Sequence, residues 1–166
     1  MKNLLFVCGA NGIGKTSICK EIVKQTPNSA YVDSDPCRMM NPFVLSDETI
    51  PTIVNNISSL ILNYMDCSII KTVVFSYGFH GRRKEVFEMI MKNMTEIEHR
   101  FIPFVLWCGE DENIRRMNED HRSIERIERS IRNSREVYHN VHYPVINITN
   151  LSVLEVSKII IEKAEL

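Results

Sequence analysis

Short apolar runs and helical stripes alternate along the chain, and that alternation is its organising signal. Leu4 to Cys8 forms an unbroken oily run. A helical pattern follows from about Lys15, with Ile18 and Ile22 on one face, and it should stop before Pro27. A short strand is expected over Ala30 to Asp33. Ile53, Ile57, Leu60, Ile61 and Tyr64 recur at helical spacing, so Pro51 to about Met65 reads as a long amphipathic helix. "KTVVFSY" reads as a strand, Phe87, Ile90, Met91 and Met94 as a helix face, and "FIPFVLW" as a strand whose early part Pro103 makes less regular. From Asp111 onward the pattern is helical and charge-rich, with Ile124, Ile127, Ile131 and Tyr138 as its apolar stripe. "PVINIT" is the last strand expected, and Ser152 with Glu155 has the spacing of a capping box that opens a terminal helix through Val156, Ile159 and Ile160. Five strands alternating with helices predict an α/β fold, a parallel sheet covered on both faces.

Composition adds bounds to this picture. A chain of 166 residues with 44% hydrophobic and 25% charged content can bury one full core, and the pattern contains no repeat, low-complexity tract or linker, so residues 1–166 read as a single domain. The net charge of -1 supplies no global attraction to nucleic acid or to an anionic membrane. The longest apolar runs are too short to cross a bilayer, which points to a cytoplasmic protein. Five cysteines without a CxxC pair read as reduced, mostly buried residues rather than a zinc site.

The chemistry begins where the first strand ends. Gly9, Gly14, Lys15 and Thr16 in "GANGIGKT" satisfy GxxxxGK[ST], and Gly12 adds a third glycine. Glycines there let successive amides from Gly9, Ala10, Asn11, Gly12, Ile13 and Gly14 converge on a phosphate. The helix opening at Lys15 aims its positive dipole end at the same point. Lys15 would neutralise the β- and γ-phosphates, Thr16 would offer its hydroxyl to Mg²⁺, and Ser17 would reach the α-phosphate. A plain glycine turn with a solvated lysine would not require the whole pattern between a strand and a helix.

Asp33 and Asp35 in "YVDSDPCRMM" follow the second strand at its carboxyl end, where ligands gather in open parallel sheets. Two residues apart in an extended stretch, both carboxylates can face the glycine loop. Asp33 is the expected base or metal-shell group and Asp35 the expected substrate contact; the competing reading is a simple turn before Pro36. Arg38 and "MMNPF" would line an acceptor pocket. "GFHGRR" after the third strand adds Gly78, His80, Arg82 and Arg83 as groups for an acidic or phosphorylated acceptor, with His80 and Arg82 chosen among them; a lone histidine there would otherwise be an ordinary surface residue.

"GANGIGKT" on strand one, "DSD" after strand two and an arginine-bearing segment after strand four together resemble the small P-loop kinases, the group that holds shikimate, gluconate, adenylate and nucleoside or nucleotide kinases. The order of elements resembles that group over nearly the whole chain, and "DSD" is similar to the acidic motif of shikimate kinase. The resemblance implies a three-layer P-loop NTPase fold with sheet order 2-3-1-4-5, use of ATP and Mg²⁺, and a small helical lid over about residues 115–126. By position it implies that Arg116 and Arg122 close on the phosphates, with Arg126 and Arg115 behind them, and that Asn150 in "NITNLS" contacts the base. Two features depart from the group. Ser76 stands where many of these enzymes carry an aspartate on strand three, and the glycine-rich acceptor loop of shikimate kinase is replaced by "GFHGRR". From Asp111 to Glu136 seven arginines face seven acids, so most of these arginines are expected to form ion pairs along a solvated helix.

The expected activity is ATP- and Mg²⁺-dependent phosphoryl transfer to a small-molecule acceptor, with nucleosides and nucleotides among the candidates. A non-catalytic nucleotide sensor or slow NTPase is the second reading, motivated by Ser76, and a polynucleotide kinase the third. The balanced charge and the lack of stacking aromatics argue against a nucleic-acid partner.

Overall fold

A computed structural model describes residues 1–166. Strands β1 (Lys2–Gly9), β2 (Ser29–Asp33), β3 (Thr72–Tyr77), β4 (His99–Trp107) and β5 (Val145–Asn147) form one parallel sheet in the order β2-β3-β1-β4-β5. Helices α1 (Lys15–Gln25), α2 (Ile50–Asp66), α3 (Arg83–Met94), α4 (Glu110–Glu119), α5 (Ile124–Asn140) and α6 (Val153–Ala164) complete the chain, with a 3₁₀ turn at Pro36–Arg38. The fold class and strand order expected from the sequence are those observed.

Strand alternation divides the core. Leu4, Phe6 and Cys8 of β1 point into a layer shared with Ile53 and Ile57 of α2 and Phe87 of α3. Leu5 and Val7 point into the opposite layer, against Ile18 and Ile22 of α1 and Ile160 of α6. Both sets are removed from water, which is why the central strand reads as an unbroken apolar run rather than an alternating one. Phe6 is the hub of the first layer, its ring centroid 4.6 Å from that of Phe87 and 5.5 Å from that of Phe75.

Pro103 lies within β4, beside Phe6 in register. The Val105 amide donates to the Pro144 carbonyl at 2.9 Å, so nitrogens two positions apart face the β5 edge. Ladder pairing with β5 begins only at Val105, and the donor that proline lacks therefore interrupts no ladder. β5 itself is shorter than "PVINIT" suggests.

The charge-rich segment is two helices rather than one. The chain leaves α4 at Asp120, His121 takes a left-handed φ of 53°, and Ser123 caps α5 by accepting from the Arg126 amide. Ile124 consequently stands at the open first turn of α5 and is 76% exposed, while Ile127 and Val137 are buried. The capping box of α6 forms as the spacing predicts, the Ser152 amide donating to Glu155 Oε2 at 2.8 Å and the Glu155 amide to Ser152 Oγ at 3.3 Å. Cys8, Cys19 and Cys108 are buried, Cys37 is half-buried and Cys67 is exposed. No helix among the described residues is long and apolar enough to cross a membrane.

Candidate active site

The carboxyl ends of β1, β2 and β3 open into a cleft with two connected chambers. The smaller, about 170 Å³, is lined by Asn11, Gly12, Gly14, Lys15, Thr16 and Ser17 on one side and by Asp33, Ser34, Asp35, Ser76 and Arg83 on the other. The larger, about 740 Å³, continues outward past Arg38, Met39, Phe43, His80 and the start of α5. Asn11, Asp35, Arg83, Asp120 and Arg122 line both.

The glycine loop is shaped as its motif requires. Gly12 has a φ of 81°, and a Cβ there would lie 2.3 Å from Met117 Cγ, so both backbone conformation and space exclude a side chain. Lys15 Nζ reaches back over the loop and donates to the carbonyls of Gly9 (2.9 Å) and Ala10 (2.7 Å). Burial pushes its pKa down to about 8, with Arg83 adding to the depression and Cys8 and Asp35 opposing it. An ammonium held in this way is stabilised by an arriving anion. Ala10 and Ile13 are packed inward and line neither chamber; the Ile13 side chain belongs to the core. Gly9 serves through its carbonyl.

Asp33 ends β2 in register with Ser76 of β3. Its Oδ2 accepts from Thr16 Oγ1 at 3.2 Å and from the Tyr31 hydroxyl at 3.0 Å, and its Oδ1 accepts from the Asp35 amide at 3.0 Å. Tyr31 is in turn 2.7 Å from Ser76 Oγ. Ser76 on β3 carries no carboxylate, and the one on the neighbouring strand, Asp33, touches the loop threonine. These hard oxygen donors fit Mg²⁺. Asp35 is paired with Arg38 of the 3₁₀ turn. Partial burial alone would raise its pKa, but the hydrogen bond and charge of Arg38, with Arg83 and Lys15 behind it, hold the carboxyl below its ordinary value. His80 lines the larger chamber; burial, then Arg83, Arg38 and Lys15, push its pKa down to about 4, so the ring is neutral at physiological pH.

Arg122 lines both chambers and pairs with Asp120 at 3.2 Å. Arg126 reaches the outer one. Arg116 does not line either chamber. Its NH1 donates to the Ile13 carbonyl at 3.2 Å, its NH2 to those of Ile148 and Leu151 at 3.1 Å each, and its Nε to Glu112 at 2.7 Å. It ties the glycine loop, at the Ile13 carbonyl, to the segment after β5 instead of facing the cleft. Arg115 pairs with Glu112 and Glu119.

Arg82 gives way to its neighbour. At the entry to α3 consecutive side chains diverge by about 100°. Arg82 therefore turns outward to Asp47 and Glu85, while Arg83 lines both chambers. Gly78 makes room for it, since a Cβ there would sit 3.2 Å from Arg83 NH1. Asn150 is exposed, with a left-handed φ of 60°, and lines neither chamber. Asp120, Tyr31, Ser130 and Asn133 join the site without having stood out in the sequence. Only the two-residue spacing of Tyr31 and Asp33 on one strand face offered a signal for any of them.

No protein-family model matches the sequence, and no curated protein matches it. Solved structures do match. A tunicamycin resistance protein from Deinococcus radiodurans superposes with a TM-score of 0.72 at 14% identity, covering 100% of this chain and 97% of that one. A gluconokinase from Sinorhizobium meliloti gives 0.65 at 13% identity, covering 96% and 90%, and a shikimate kinase from Acinetobacter baumannii in complex with shikimate gives 0.63 at 16%, covering 99% and 94%. At such low identity the likeness is one of architecture, and with the loop and sheet described above it leads to one conclusion: this chain has the fold of the small P-loop kinases.

Proposed function

We propose that the protein transfers a phosphoryl group from ATP, with Mg²⁺, to a small-molecule acceptor. The observation that carries this reading is the continuity of the cleft: the glycine loop with Lys15 opens onto the same chamber as two carboxylates, and that chamber runs on into a larger one. ATP supplies the transferable group. Lys15 and Arg122 are the cations available to its phosphates, and Thr16 and Asp33 are the donors that would hold the metal. The kinase architecture of the structural neighbours supports the same reading.

The two aspartates divide the work suggested for Asp33 alone. Asp33 is engaged by Thr16 and Tyr31 and lines only the inner chamber. Asp35 lines both chambers, so it is the carboxylate placed to orient an acceptor hydroxyl and take its proton. Its depressed pKa keeps it ionised for that role.

Titration calorimetry with ATP and Mg²⁺ should show binding, and [γ-³²P]ATP with a pooled metabolite extract should yield a labelled product. Asp35→Asn should retain ATP binding and lower transfer by about a hundredfold or more. No binding of ATP or GTP would defeat the reading. Ser76 in place of a carboxylate on β3 favours one alternative, a slow NTPase or sensor; that alternative predicts release of labelled phosphate, or none, with no labelled metabolite.

A further inference from the structure

The outer chamber has a chemical character of its own. Five arginines (Arg38, Arg83, Arg122, Arg126 and Arg129) line it against two aspartates, Asp35 and Asp120, and His80 adds no charge at neutral pH. The chain as a whole carries a formal charge of -1, so this excess is local. A phosphate donor does not account for it, because Arg38, Arg126 and Arg129 line the outer chamber and not the inner one.

Arg38 and Arg83 are the informative pair. Arg38 is only 9% exposed and is paired with Asp35. Arg83 is half-buried, and among the described residues no salt bridge reaches it. Burial and then the like charge of Arg38 push its pKa down to about 10. Two guanidiniums that line one chamber, with Asp35 paired to only one of them, are unfavourable together until a further anion arrives. Phosphate and sulfate oxygens match that planar fork.

Apolar surface adjoins this charge. Met39 is 84% exposed and Phe43 48% exposed, both on the chamber wall, and the Arg38 guanidinium lies 5.7 Å from the Phe43 ring centroid. At about 740 Å³ the chamber lies in the range of sites that enclose drug-sized ligands, several times the inner one.

We propose that the acceptor is itself an anion of nucleotide size: a phosphate or sulfate monoester gripped by Arg38 and Arg83, with an apolar or planar body against Met39, Met40 and Phe43, and a hydroxyl or second phosphate oxygen presented to Asp35. This rests on the phosphoryl-transfer reading for its last clause only; the anion grip stands independently.

Calorimetry on the full chain tests it, with Mg²⁺ and a non-hydrolysable ATP analogue filling the glycine loop, and again with Lys15→Ala so that the loop does not contribute. The probes are AMP, CMP, GMP and UMP, glucose 6-phosphate, and their neutral parents adenosine, cytidine, guanosine, uridine and glucose. At least one monoester should bind about tenfold or more tightly than its parent, and Arg83→Gln should remove that preference. Arg82→Gln, one residue away, should leave it within twofold. Arg126→Gln, on the exposed face of α5, should weaken monoester binding about threefold and serves if Arg83→Gln fails to fold. Equal affinity for charged and neutral probes, or no binding of any probe, overturns the proposal, as does a monoester preference that survives both Arg83→Gln and Arg126→Gln. Transfer of label to a neutral acceptor that outcompetes every monoester would overturn the anion grip and leave the kinase reading standing. A monoester bound through Arg83 without label transfer would do the reverse.

Discussion

The two chambers of the cleft are made of different material. The inner one is lined on one side by a short stretch of chain, Asn11, Gly12 and Gly14 to Ser17, and closed by Asp33 and Asp35. The outer one is assembled from side chains that arrive from the 3₁₀ turn, the β3–α3 loop and α5. A backbone cradle holds what every nucleoside triphosphate shares, a chain of phosphates, and tolerates little variation. A wall of long side chains can be changed residue by residue without disturbing the sheet. On the proposed reading the inner chamber would set the chemistry and the outer one would select the partner.

The contrast can be broken at its strongest point first. Lys15→Ala should lower turnover by about a thousandfold and weaken the triphosphate interaction, because among the cations of the inner chamber it is the one folded over the Gly9 and Ala10 carbonyls of the glycine loop. Steady-state kinetics beside calorimetry would separate the two effects. If both stay near wild type, the inner chamber is not the site of transfer.

Gly12→Ala comes next. Its Cβ would meet Met117 Cγ at 2.3 Å with φ at 81°, so a loss of about 1–3 kcal/mol and a fall in melting temperature of several degrees are expected. Made in a Met117→Ala background, with the cavity cost of that change measured separately, the same glycine substitution should cost only the conformational part. Calorimetric scans in the two backgrounds would separate it from the steric part.

Acidity supplies a third test. With the pKa of Lys15 pushed down to about 8, the ammonium is present below that pH and is lost as pH rises through it. A bound phosphate favours the charged form, so binding above pH 8 must take up a proton, and affinity for an ATP analogue should fall by up to about tenfold per pH unit. Affinity independent of pH from 7 to 9.5 would mean either that burial does not depress Lys15 in the free protein or that Lys15 does not meet the phosphates.

The smallest effect belongs to Arg82. Exposed and paired with Asp47 and Glu85, it should change kcat/KM by no more than about twofold when replaced by alanine. A larger loss would return it to the acceptor wall in place of Arg83.

What was legible in the sequence follows from the same division. Glycine spacing is local, and Lys15, Thr16, Ser17, Asp33 and Asp35 all line the inner chamber. The oily runs of β1 and β3 declared a sheet buried on both faces. The break between α4 and α5 did not declare itself, because the charge pattern runs on through it and the interruption lies in the backbone at His121. Arg82 and Arg83 are chemically identical, and only the rotation at the start of α3 tells which faces the cleft. The role of Arg116 was hidden for another reason: its partners are carbonyls of Ile13, Ile148 and Leu151, which no residue type announces.

That clamp also bears on what could move. Arg116 ties α4 to the glycine loop through the Ile13 carbonyl and to the segment leading into α6 through those of Ile148 and Leu151, whereas the backbone turns at His121 before α5 begins. Were the proposed kinase to close on its ligands by bending there, Arg126 and Arg129 would travel with α5, and closure would sense the charge of what has been loaded.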